Sequence, residues 1–463
     1  MIIMKFGGSS IASGERIKNV AGLIQTEKRS KVVVVSALGG VTDSLIEIAE
    51  TILGQSVDVI EQKVEKYCDW LTRKHLEAIE IAIHNKKIAK TVSHEVTKLI
   101  GRLRVALLGV GYLEDLSLKS MDYILAFGER LSMNIMSGAL RTIGIESRAF
   151  TGAEAGILTD SAYGKARPLL NELRTRVHGN LKPLIESGST PVVSGFIGSN
   201  KQGHITTLGR GGSDYTASLL GVALDNVEEV QIWTDVDGIM TTDPKIVKQA
   251  KLIKKLSYVE ALDLSYFGAK VIHSKMIEPA MMNDVPVRVK NTFNPGNDGT
   301  LIMRKQEKAD GVIKAVALVL DVVIVTLSGV AMAETPNVAG RVFSVLGEAN
   351  INVIMISGSS DSNLSFVVSS KDAENAVDLL AQKVKSDIVE GLSLIRDVAI
   401  VCVVGSGMIG TKGVAAKIFS SIYEADVNII MIAQGSSEVN IAFIVLARDA
   451  EKVVKVLHKK FIS

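Results

Sequence analysis

The sequence contains the stretch VAGRVFSVLGEANINVIMISGSSDSNLSFVV at residues 338–368 and a copy of it, VAAKIFSSIYEADVNIIMIAQGSSEVNIAFIV, at residues 414–445. The copies match at turn, helix and strand positions alike, with Gln434 as one inserted residue. Each copy indicates the order strand, glycine-containing loop, helix, strand, strand, helix. We therefore predict a tandem pair of small α+β units in the C-terminal part of the chain.

The two copies differ in the strands available at their ends. A strand-like segment, Gly391–Ile395, follows the second helix of the first copy, whereas the second copy ends in a predicted helix near Ala450–Lys460. A surplus apolar segment, Val312–Ala317, stands before the first copy. We expect residues 312–317 to cross over and complete the sheet of the second unit, because that sheet would otherwise expose an open edge.

Before the repeats, short β-branched runs alternate with long helical stretches as far as Arg304. The predicted strands are Ile2–Phe6, Lys31–Ser36, Pro191–Ser194, Val230–Thr234 and Val285–Lys290, and the predicted helical stretches are Ser44–Gly111, Asp122–Leu140 and Asp214–Leu224. Such apolar strands are typical of parallel sheets that are buried on both faces. We predict a layered α/β domain with a mainly parallel central sheet, whose ligands bind at the carboxyl ends of the strands.

The predicted domain boundaries follow from this pattern. Residues 1–304 form the α/β domain, residues 305–396 form a linker and the first repeat unit, and residues 397–463 form the second unit. The segment Met303–Asp310, MRKQEKAD, is rich in charge and lacks apolar periodicity, so it is predicted to be the linker.

The composition restricts the classes of function. The 463 residues are 47% hydrophobic, and 52 basic residues against 50 acidic ones give a formal charge of +2. This balance argues against nucleic acid and anionic membranes as partners, because binding to either needs a basic surplus. Cys68 and Cys402 show neither disulfide-scaffold nor zinc-site spacing. The N-terminus lacks a signal-like apolar region, and no uncharged apolar stretch reaches about 18 residues, so we expect a cytoplasmic protein.

Three loops contain the residues that suit a phosphate site. They are KFGGSS at residues 5–10, TTLGRGGSDYTA at residues 206–217 and WTDVDGIMTTDP at residues 233–244. None is a Walker A loop or a GxGxxG fingerprint. Paired glycines let backbone N–H groups approach a phosphate, and a helix start accepts anionic groups. Taken from the residues alone, a tight turn, a helix N-cap and a surface turn remain alternatives.

Taken together, these loops resemble those of the aspartokinase family, which combines a kinase domain of the amino-acid-kinase fold with ACT (ferredoxin-like) regulatory units. FGERLS at residues 127–132 resembles the substrate helix of the family, and FGAKVIH at residues 267–273 resembles its distal lysine motif. GSGMIGTKGVAAKIF at residues 405–419 and QGSSEVNI at residues 434–441 resemble its ACT signatures. The resemblance covers nearly the whole chain and is to the monofunctional members, because the chain ends shortly after the second copy.

The resemblance implies ATP-dependent phosphorylation of L-aspartate to 4-phospho-L-aspartate, the first step towards lysine, threonine and methionine, with Mg²⁺ bound to the ATP. It implies catalytic positions at Lys5 and Asp214, aspartate-binding positions at Ser36, Thr42, Glu129, Arg210 and Ser213, and ATP-binding positions at Lys5, Gly7, Gly8, Ser9, Thr234, Asp235, Lys245 and Lys270. A β-carboxylate with a pKa of about 3.9 is already ionised at neutral pH, so this chemistry needs no general base and no catalytic histidine.

The chain departs from the family pattern at several positions. Met240, Lys245 and Ser274 stand where tyrosine, arginine and proline are usual, and we expect these changes to alter nucleotide affinity. The first ACT unit has GVAM at residues 329–332 in place of a GxGM loop and lacks the glutamine present in the second unit. The resemblance implies lysine or threonine as effector, a homodimer or higher homo-oligomer formed through the ACT units, and effector positions at Asn352, Ser359, Asn428 and Gln434.

Two other functions remain open at this point. One is a related amino-acid kinase that acts on glutamate or its acetylated form, against which the FGERLS motif argues. The other is a catalytically inactive amino-acid sensor. The chain retains the charged set Lys5, Glu129, Arg210, Asp214 and Lys270, which favours an active enzyme.

Overall fold

The structure is a computed structural model, and it describes residues 1–268, 272–304, 311–329, 337–360, 363–384 and 389–462. The chain divides into two compact units, each built from discontinuous segments. The first contains Met1–Ile239, Lys254–Tyr258 and residues 272–304. The second contains Met240–Ile253, residues 259–268 and the described residues from 311 onward.

The elements before the repeats alternate as the sequence predicts. The strands are β1 (Ile2–Phe6), β2 (Lys31–Val35), β3 (Ser147–Phe150), β4 (Leu158–Thr159), β5 (Thr190–Ser194), β6 (Ile197–Asn200), β7 (Ile205–Thr207), β8 (Glu229–Thr234), β9 (Lys255–Ser257), β10 (Val287–Asn291) and β11 (Thr300–Met303). The helices are α1 (Gly14–Thr26), α2 (Val41–Thr51), α3 (Val57–Ala82), α4 (Lys86–Leu113), α5 (Leu118–Thr142), α6 (Gly152–Ala155), α7 (Leu170–Glu186), α8 (Gly212–Ala223), α9 (Tyr258–Tyr266) and α10 (Ser274–Asn283).

The central sheet of the first unit has the strand order β3-β5-β2-β1-β8-β10-β11-β9. Its neighbouring strands pair in parallel, apart from the antiparallel pair β10 and β11. A smaller sheet has the order β4-β6-β7. The predicted α/β class with a mainly parallel central sheet is therefore confirmed.

The strand β1 shows why the sheet lies at the centre of this unit. All five of its residues are buried. Ile2, Met4 and Phe6 join the apolar core formed with the helices α1 to α5. Alternate side chains of a strand point to opposite faces, so Ile3 and Lys5 belong to the other face. That geometry directs Lys5 away from the core in which Phe6 is buried.

The predicted helical stretch Ser44–Gly111 corresponds to three helices, α2, α3 and α4, with two short breaks between them. The first break contains Gly54, whose φ of +67° lies in the left-handed region. At the second break the Asn85 side chain accepts hydrogen bonds from the N–H groups of Lys87 and Ile88 and caps α4. Both residue types are common helix-terminating or helix-starting signals.

The second unit contains both repeats. Its described elements are β12 (Ala315–Ser328), α11 (Val338–Glu348), β13 (Met355–Ser360), β14 (Asn363–Ser369), α12 (Ala373–Lys383), β15 (Gly391–Val404), α13 (Val414–Glu424), β16 (Met431–Ala433), β17 (Asn440–Leu446) and α14 (Ala447–Phe461). The strands form one antiparallel sheet in the order β13-β14-β12-β15-β17-β16. Phe366 and Phe443 each lie at the centre of one of two separate apolar cores.

The long strands β12 and β15 run through both repeat units. The half of β12 from Val322 to Ser328 pairs with β14, while the half from Ala315 to Val319 pairs with Val404 back to Ile400 in β15. Asp321, in the left-handed region with φ of +57°, lies where the register shifts. A segment that precedes the first repeat thus pairs with β15, as expected if it crosses over to complete the sheet of the second unit. The predicted domain boundaries stay a prediction.

The predicted linker is only partly within the described residues. Met303 is the last residue of β11, so the segment that leaves the first unit begins after the predicted start. Residues 305–310 lie outside the described residues. None of the described helices combines the length and apolar character that crossing a bilayer requires.

Candidate active site

A cavity of about 400 Å³ opens at the carboxyl ends of β1 and β2 in the first unit. Its walls come from the turns after these strands, from α5 and from the loop that precedes α8. Nine of the predicted site residues line this cavity, namely Lys5, Gly8, Ser9, Ser36, Thr42, Glu129, Arg210, Ser213 and Asp214. The sequence motifs from four separate elements therefore meet where a parallel sheet places its ligands.

An ion pair lies in the wall of this cavity. Lys5 Nζ is 2.6 Å from Asp214 Oδ1, and the two side chains are 10% and 17% exposed. Lys5 comes from β1, whereas Asp214 comes from the first turn of α8. Because a charge-assisted contact of this length fixes both groups, the ammonium is held at the mouth of the turn that contains Gly7 and Gly8.

The Glu129 carboxyl group is buried beside the same cavity, on α5. Its Oε1 accepts a hydrogen bond from the Ala37 backbone N–H at 3.2 Å. Its Oε2 has no hydrogen-bond partner among the described residues. Burial raises the pKa of Glu129 to about 8, since the charged form loses solvation. A buried acceptor of this kind fits a cationic group of a ligand.

Two helix starts face the cavity, and glycines in the left-handed conformation form both. Gly40 (φ +78°) precedes α2, and Gly211 (φ +72°) precedes α8. Neither helix has a side-chain cap. Unpaired N–H groups at a helix start attract negative charge, so the two helices offer donors to an anionic ligand from two directions.

Close backbone approaches hold these walls together. A Cβ on Gly128 would lie 2.8 Å from the Ala37 Cβ, so α5 contacts the turn after β2 only because residue 128 is glycine. A Cβ on Gly195 would lie 2.5 Å from both the Cβ and the Oγ of Ser213. The start of α8 is therefore set by the chain that leaves β5.

The predicted ATP residues are only partly brought together. Parallel pairing places Phe6 beside Trp233, so Gly7, directly after β1, comes next to Thr234, the last residue of β8. Thr234 Oγ1 donates a hydrogen bond to Asp235 Oδ1 at 3.1 Å. Lys245 is exposed and belongs to the second unit. Lys270 lies outside the described residues.

Sequence reasoning missed several residues of the cavity wall. Gly39 and Gly40 follow β2, and the Asp43 carboxylate comes from the first turn of α2. Phe196 completes the side next to Gly212, where an added Cβ would lie 2.7 Å from its ring. The paired glycines after a buried strand repeat the signal at Gly7 and Gly8, and that signal was available in the sequence.

His273 caps the helix α10. Its Nδ1 accepts a hydrogen bond from the Lys275 N–H at 3.3 Å. Burial lowers the pKa of His273, and the neighbouring Lys275 adds to this effect. Among the described residues, no group of three or more His, Cys, Asp or Glu side chains is arranged to hold a metal ion.

The predicted effector residues occupy matching places in the two repeats. Asn352 precedes β13 and Asn428 precedes β16, and both are exposed. Gln434 is exposed and directly follows β16. The side chain of Ser359 lies outside the described part of the structure.

Comparisons with known families agree with the division of the chain into an α/β part followed by two repeats. Residues 1–291 match the model of the Amino acid kinase family. Residues 325–384 and 401–461 each match the model of the ACT domain.

Curated relatives and solved structures extend the comparison over the whole chain. Aspartokinase 1, chloroplastic, from Arabidopsis thaliana is 32% identical over 99% of this chain and 80% of its own. The structure of E. coli aspartokinase III in complex with aspartate and ADP (R-state) is similar with a TM-score of 0.82 and 29% identity, covering 99% of both chains. The same enzyme in complex with lysine and aspartate (T-state) gives a TM-score of 0.82 and 29% identity, covering all of both chains.

Proposed function

The chain belongs to the aspartokinase family, and from this premise we propose that it transfers the γ-phosphoryl group of ATP to the β-carboxylate of L-aspartate. The products are 4-phospho-L-aspartate and ADP. The observation that supports this most directly is the cavity in which the Lys5–Asp214 ion pair lies beside the buried Glu129 carboxyl group. The product is the precursor of lysine, threonine and methionine.

Glu129 is proposed to bind the α-ammonium group of aspartate. Its Oε2 has no partner among the described residues, and an ammonium donor would supply one. A nearby positive charge favours the ionised carboxylate, so aspartate binding lowers the pKa of Glu129 from about 8 and releases a proton. This proton is released when aspartate binds and not during phosphoryl transfer, because the β-carboxylate that attacks the phosphorus is already ionised.

Arg210 is proposed to hold the α-carboxylate of aspartate. It lines the cavity but is exposed, so its planar guanidinium is available to a ligand. Such a group binds a carboxylate through two parallel hydrogen bonds, which fixes the orientation of the substrate as well as its position. The hydroxyl groups of Ser36, Thr42 and Ser213 complete the proposed aspartate site from the cavity wall.

Lys5 and Asp214 are proposed as the catalytic pair. Phosphoryl transfer spreads negative charge over the transferring oxygens, so catalysis depends on positioning and charge neutralisation. Lys5 supplies a positive charge, and its ion pair with Asp214 keeps the ammonium in one place before substrates arrive. The N–H groups of Gly8 and Ser9 are proposed to contact the phosphates, and Gly7, whose own N–H donates to the Trp233 carbonyl oxygen at 3.2 Å, is proposed to line them. The proposed reaction needs no general base, because its nucleophile is already ionised.

ATP is proposed to bind through Thr234, Asp235, Lys245 and Lys270. A phosphotransferase of this kind works with a divalent metal, and we propose Mg²⁺ bound to ATP, which neutralises phosphate charge. The oxygen-rich wall formed by Asp43 and Asp214 suits the ligand preference of Mg²⁺.

Regulation by lysine or threonine through the ACT units, and assembly into a homodimer or higher homo-oligomer, are part of the same proposal. The E. coli relative with bound lysine supports a regulatory role for this type of chain. The plant relatives are described as chloroplastic, a location that applies to those proteins. For this chain, a cytoplasmic location stays a prediction from the sequence.

A coupled assay of ADP release tests the function. We expect turnover with L-aspartate and at most background release with L-glutamate or N-acetyl-L-glutamate. Equal or faster turnover with either of these would identify a different amino-acid kinase. Binding of an amino acid without ADP release from any of the three would identify a sensor. The Asp214→Asn variant is the control, because it should remove turnover while the fold is kept.

A further inference from the structure

A buried carboxylate on α5 binds two segments that lie far from it in the sequence. Asp122 is fully buried. Both of its carboxylate oxygens accept from the Gly164 N–H at 3.0 Å. Its Oδ2 also accepts from the Thr207 N–H at 2.9 Å, and its Oδ1 accepts from the Thr207 hydroxyl group at 2.6 Å. The proposed roles of the site residues use none of these contacts.

Thr207 is the last residue of β7, and the chain continues from it into the loop that contains Arg210. We define the Arg210 loop as Leu208–Gly211, between β7 and α8. Gly164 packs against the same loop, because a Cβ on Gly209 would lie 3.0 Å from the Gly164 carbonyl oxygen. Asp122 therefore binds both the residue at which the Arg210 loop begins and the backbone that contacts its middle.

Other contacts fix the backbone of the Arg210 loop within the first unit. The Leu208 N–H donates to the Phe196 carbonyl oxygen at 2.9 Å, and the Leu208 carbonyl oxygen accepts from Lys275 Nζ at 3.1 Å. The Gly212 N–H donates to the Gly209 carbonyl oxygen at 2.9 Å. The Arg210 side chain is exposed and lines the cavity. The loop thus has a fixed backbone that presents one guanidinium group to a ligand.

Asp122 and Glu129 lie on the same helix, α5, and both are buried. Residues seven positions apart lie on one face of a helix, about two turns from each other. Glu129 is proposed to bind the α-ammonium group of aspartate, and Arg210 is proposed to bind its α-carboxylate. One rigid helix therefore bears the first of these groups and, through Asp122, holds the loop that bears the second.

We propose that Asp122 is a positioning residue that sets the place of Arg210 relative to Glu129, an inference that rests on the proposed function. The α-ammonium and α-carboxylate groups share one carbon atom, so the two protein groups that bind them need a fixed separation. Asp122 is not among the described residues that line the cavity, so it acts through the Arg210 loop. Its loss would leave the buried N–H groups of Gly164 and Thr207 without this acceptor, and the loop would shift.

The test compares Asp122→Ala, Asp122→Asn and the control Asp115→Ala in the full chain. Asp115 is an exposed aspartate shortly before α5. We expect Asp122→Ala to raise the KM for aspartate about tenfold or more and to change the KM for ATP less than about twofold. Asp115→Ala should match the wild type.

The conservative variant Asp122→Asn should remain within about threefold of the wild type. Its amide oxygen can accept from the N–H groups of Gly164 and Thr207, and its NH₂ group can donate to the Thr207 hydroxyl oxygen. This rescue separates the loss of the hydrogen bonds from the loss of the negative charge.

Combination with Arg210→Lys tests whether Asp122 acts through Arg210. Once the bidentate guanidinium is absent, the place of the loop matters less for aspartate. Adding Asp122→Ala to Arg210→Lys should therefore raise the KM for aspartate by only about threefold or less, because coupled residues do not contribute additively. A general loss of structure would instead raise it by the same factor in both backgrounds.

Hydrogen exchange followed by mass spectrometry provides a readout that does not depend on activity. The segment 205–213 should exchange faster in Asp122→Ala than in the wild type, Asp122→Asn and Asp115→Ala. If Asp122→Ala does not fold, Thr207→Val and Thr207→Ser replace it in both measurements. Valine keeps the shape of threonine but removes the hydroxyl donor to Asp122, whereas serine keeps that donor.

Three results would each overturn the proposal. They are an unchanged KM for aspartate in Asp122→Ala, equal rises in the KM values for aspartate and ATP, and an effect of Asp122→Ala that is undiminished in the Arg210→Lys background. Failure of the proposed function looks different. In that case the wild type releases no ADP with aspartate, while the exchange of segment 205–213 still reports whether Asp122 fixes the Arg210 loop.

Discussion

Lys5 at the end of β1 and Asp214 at the start of α8 form an ion pair across the candidate active site, with 2.6 Å between Nζ and Oδ1. The two residues lie more than 200 positions apart in the chain; Gly7 and Gly8 come shortly after Lys5, and Gly211 and Gly212 come shortly before Asp214. Parallel pairing of β1 with β8 and packing of α8 against this sheet bring them together. The pair is thus a product of the fold, and the proposed chemistry depends on it.

Replacement of Lys5 by alanine should lower kcat by about two orders of magnitude or more. One removed positive charge at a developing phosphoryl transition state corresponds to roughly 3–4 kcal/mol in a site of this type. Steady-state kinetics with saturating ATP and aspartate measures the effect. Lys28→Ala is the control, because this exposed lysine of the same unit lies outside the cavity. Turnover of Lys5→Ala within threefold of the wild type would contradict the assigned role.

The Glu129→Gln variant tests the ammonium site through its pH dependence. The pKa of Glu129 is raised from 4.5 to about 8 in the free protein, so the folded state keeps a proton that the unfolded chain loses. The resulting contribution to stability is complete below about pH 4.5 and is lost as the pH rises through 8. The wild type should therefore lose unfolding free energy relative to Glu129→Gln between pH 5 and 8.

Aspartate binding should also report on the ionisation of the Glu129 carboxyl group. Calorimetry near pH 7 in two buffers of different ionisation enthalpy should detect release of a proton when aspartate binds to the wild type. Glu129→Gln should release none and bind aspartate much more weakly. Glu47→Gln, at an exposed position of α2, serves as the control. Tight aspartate binding by Glu129→Gln would assign the ammonium to another residue.

Arg210→Lys should raise the KM for aspartate and leave the KM for ATP nearly unchanged. A lysine keeps the charge but cannot form two parallel hydrogen bonds to a carboxylate. Arg174→Lys, in the exposed ion pair with Asp225, provides the matched control. A rise in the KM for ATP instead of aspartate would place Arg210 in the nucleotide part of the site.

Gly195→Ala should destabilise the protein and disturb aspartate binding together. The new Cβ would lie 2.5 Å from the Cβ of Ser213, so the start of α8 must move. Overpacking of this kind costs about 1–3 kcal/mol. Gly179→Ala in α7 meets nothing within 4 Å and should stabilise the helix by about 0.5–1 kcal/mol. Thermal unfolding and the KM for aspartate report both effects, and a neutral Gly195→Ala would contradict the described backbone approach.

Local sequence signals predicted much of the fold and the site. Strand β1 was predicted to the residue, because a short run that is apolar apart from Lys5 ends at paired glycines. The loops after β1 and before α8 were predicted from their glycines, and the resemblance of the motifs to the aspartokinase family implied Lys5, Ser36 and Asp214, which line the cavity. The breaks within the first long helical stretch were missed, although Gly54 and Asn85 are ordinary signals for them.

Long-range contacts set the features that the sequence did not predict. Segment Met240–Ile253, which contains only the last five residues of the WTDVDGIMTTDP motif, groups with the repeats. There the Thr241 hydroxyl group lies 2.9 Å from His458 Nε2, and the Thr241 carbonyl oxygen accepts from the Val316 N–H at 2.8 Å. Partners more than 70 positions away leave no local pattern, so these contacts had to come from the structure.

We expect effector binding to differ between the two repeats. Asn352 and Asn428 are equivalent positions at which this difference can be tested. Both are exposed, and each lies at the same place in its copy, three residues before a strand. Because the two repeats differ in their glycine loops, with GVAM at residues 329–332 and GSGM at residues 405–408, we expect lysine or threonine to bind at one repeat only. Asn352→Ala should weaken this binding and the inhibition that follows, whereas Asn428→Ala should behave as the wild type. Calorimetric titration of both amino acids onto each protein measures binding, and initial rates measure inhibition.

Inhibition depends only on the difference in effector affinity between two conformations, typically 1–3 kcal/mol, so Asn352→Ala should retain full unregulated turnover at roughly the wild-type rate. Loss of binding in Asn428→Ala alone would assign the effector to the second repeat, and no heat for either amino acid with a fully active wild type would leave the ACT units a role in assembly alone.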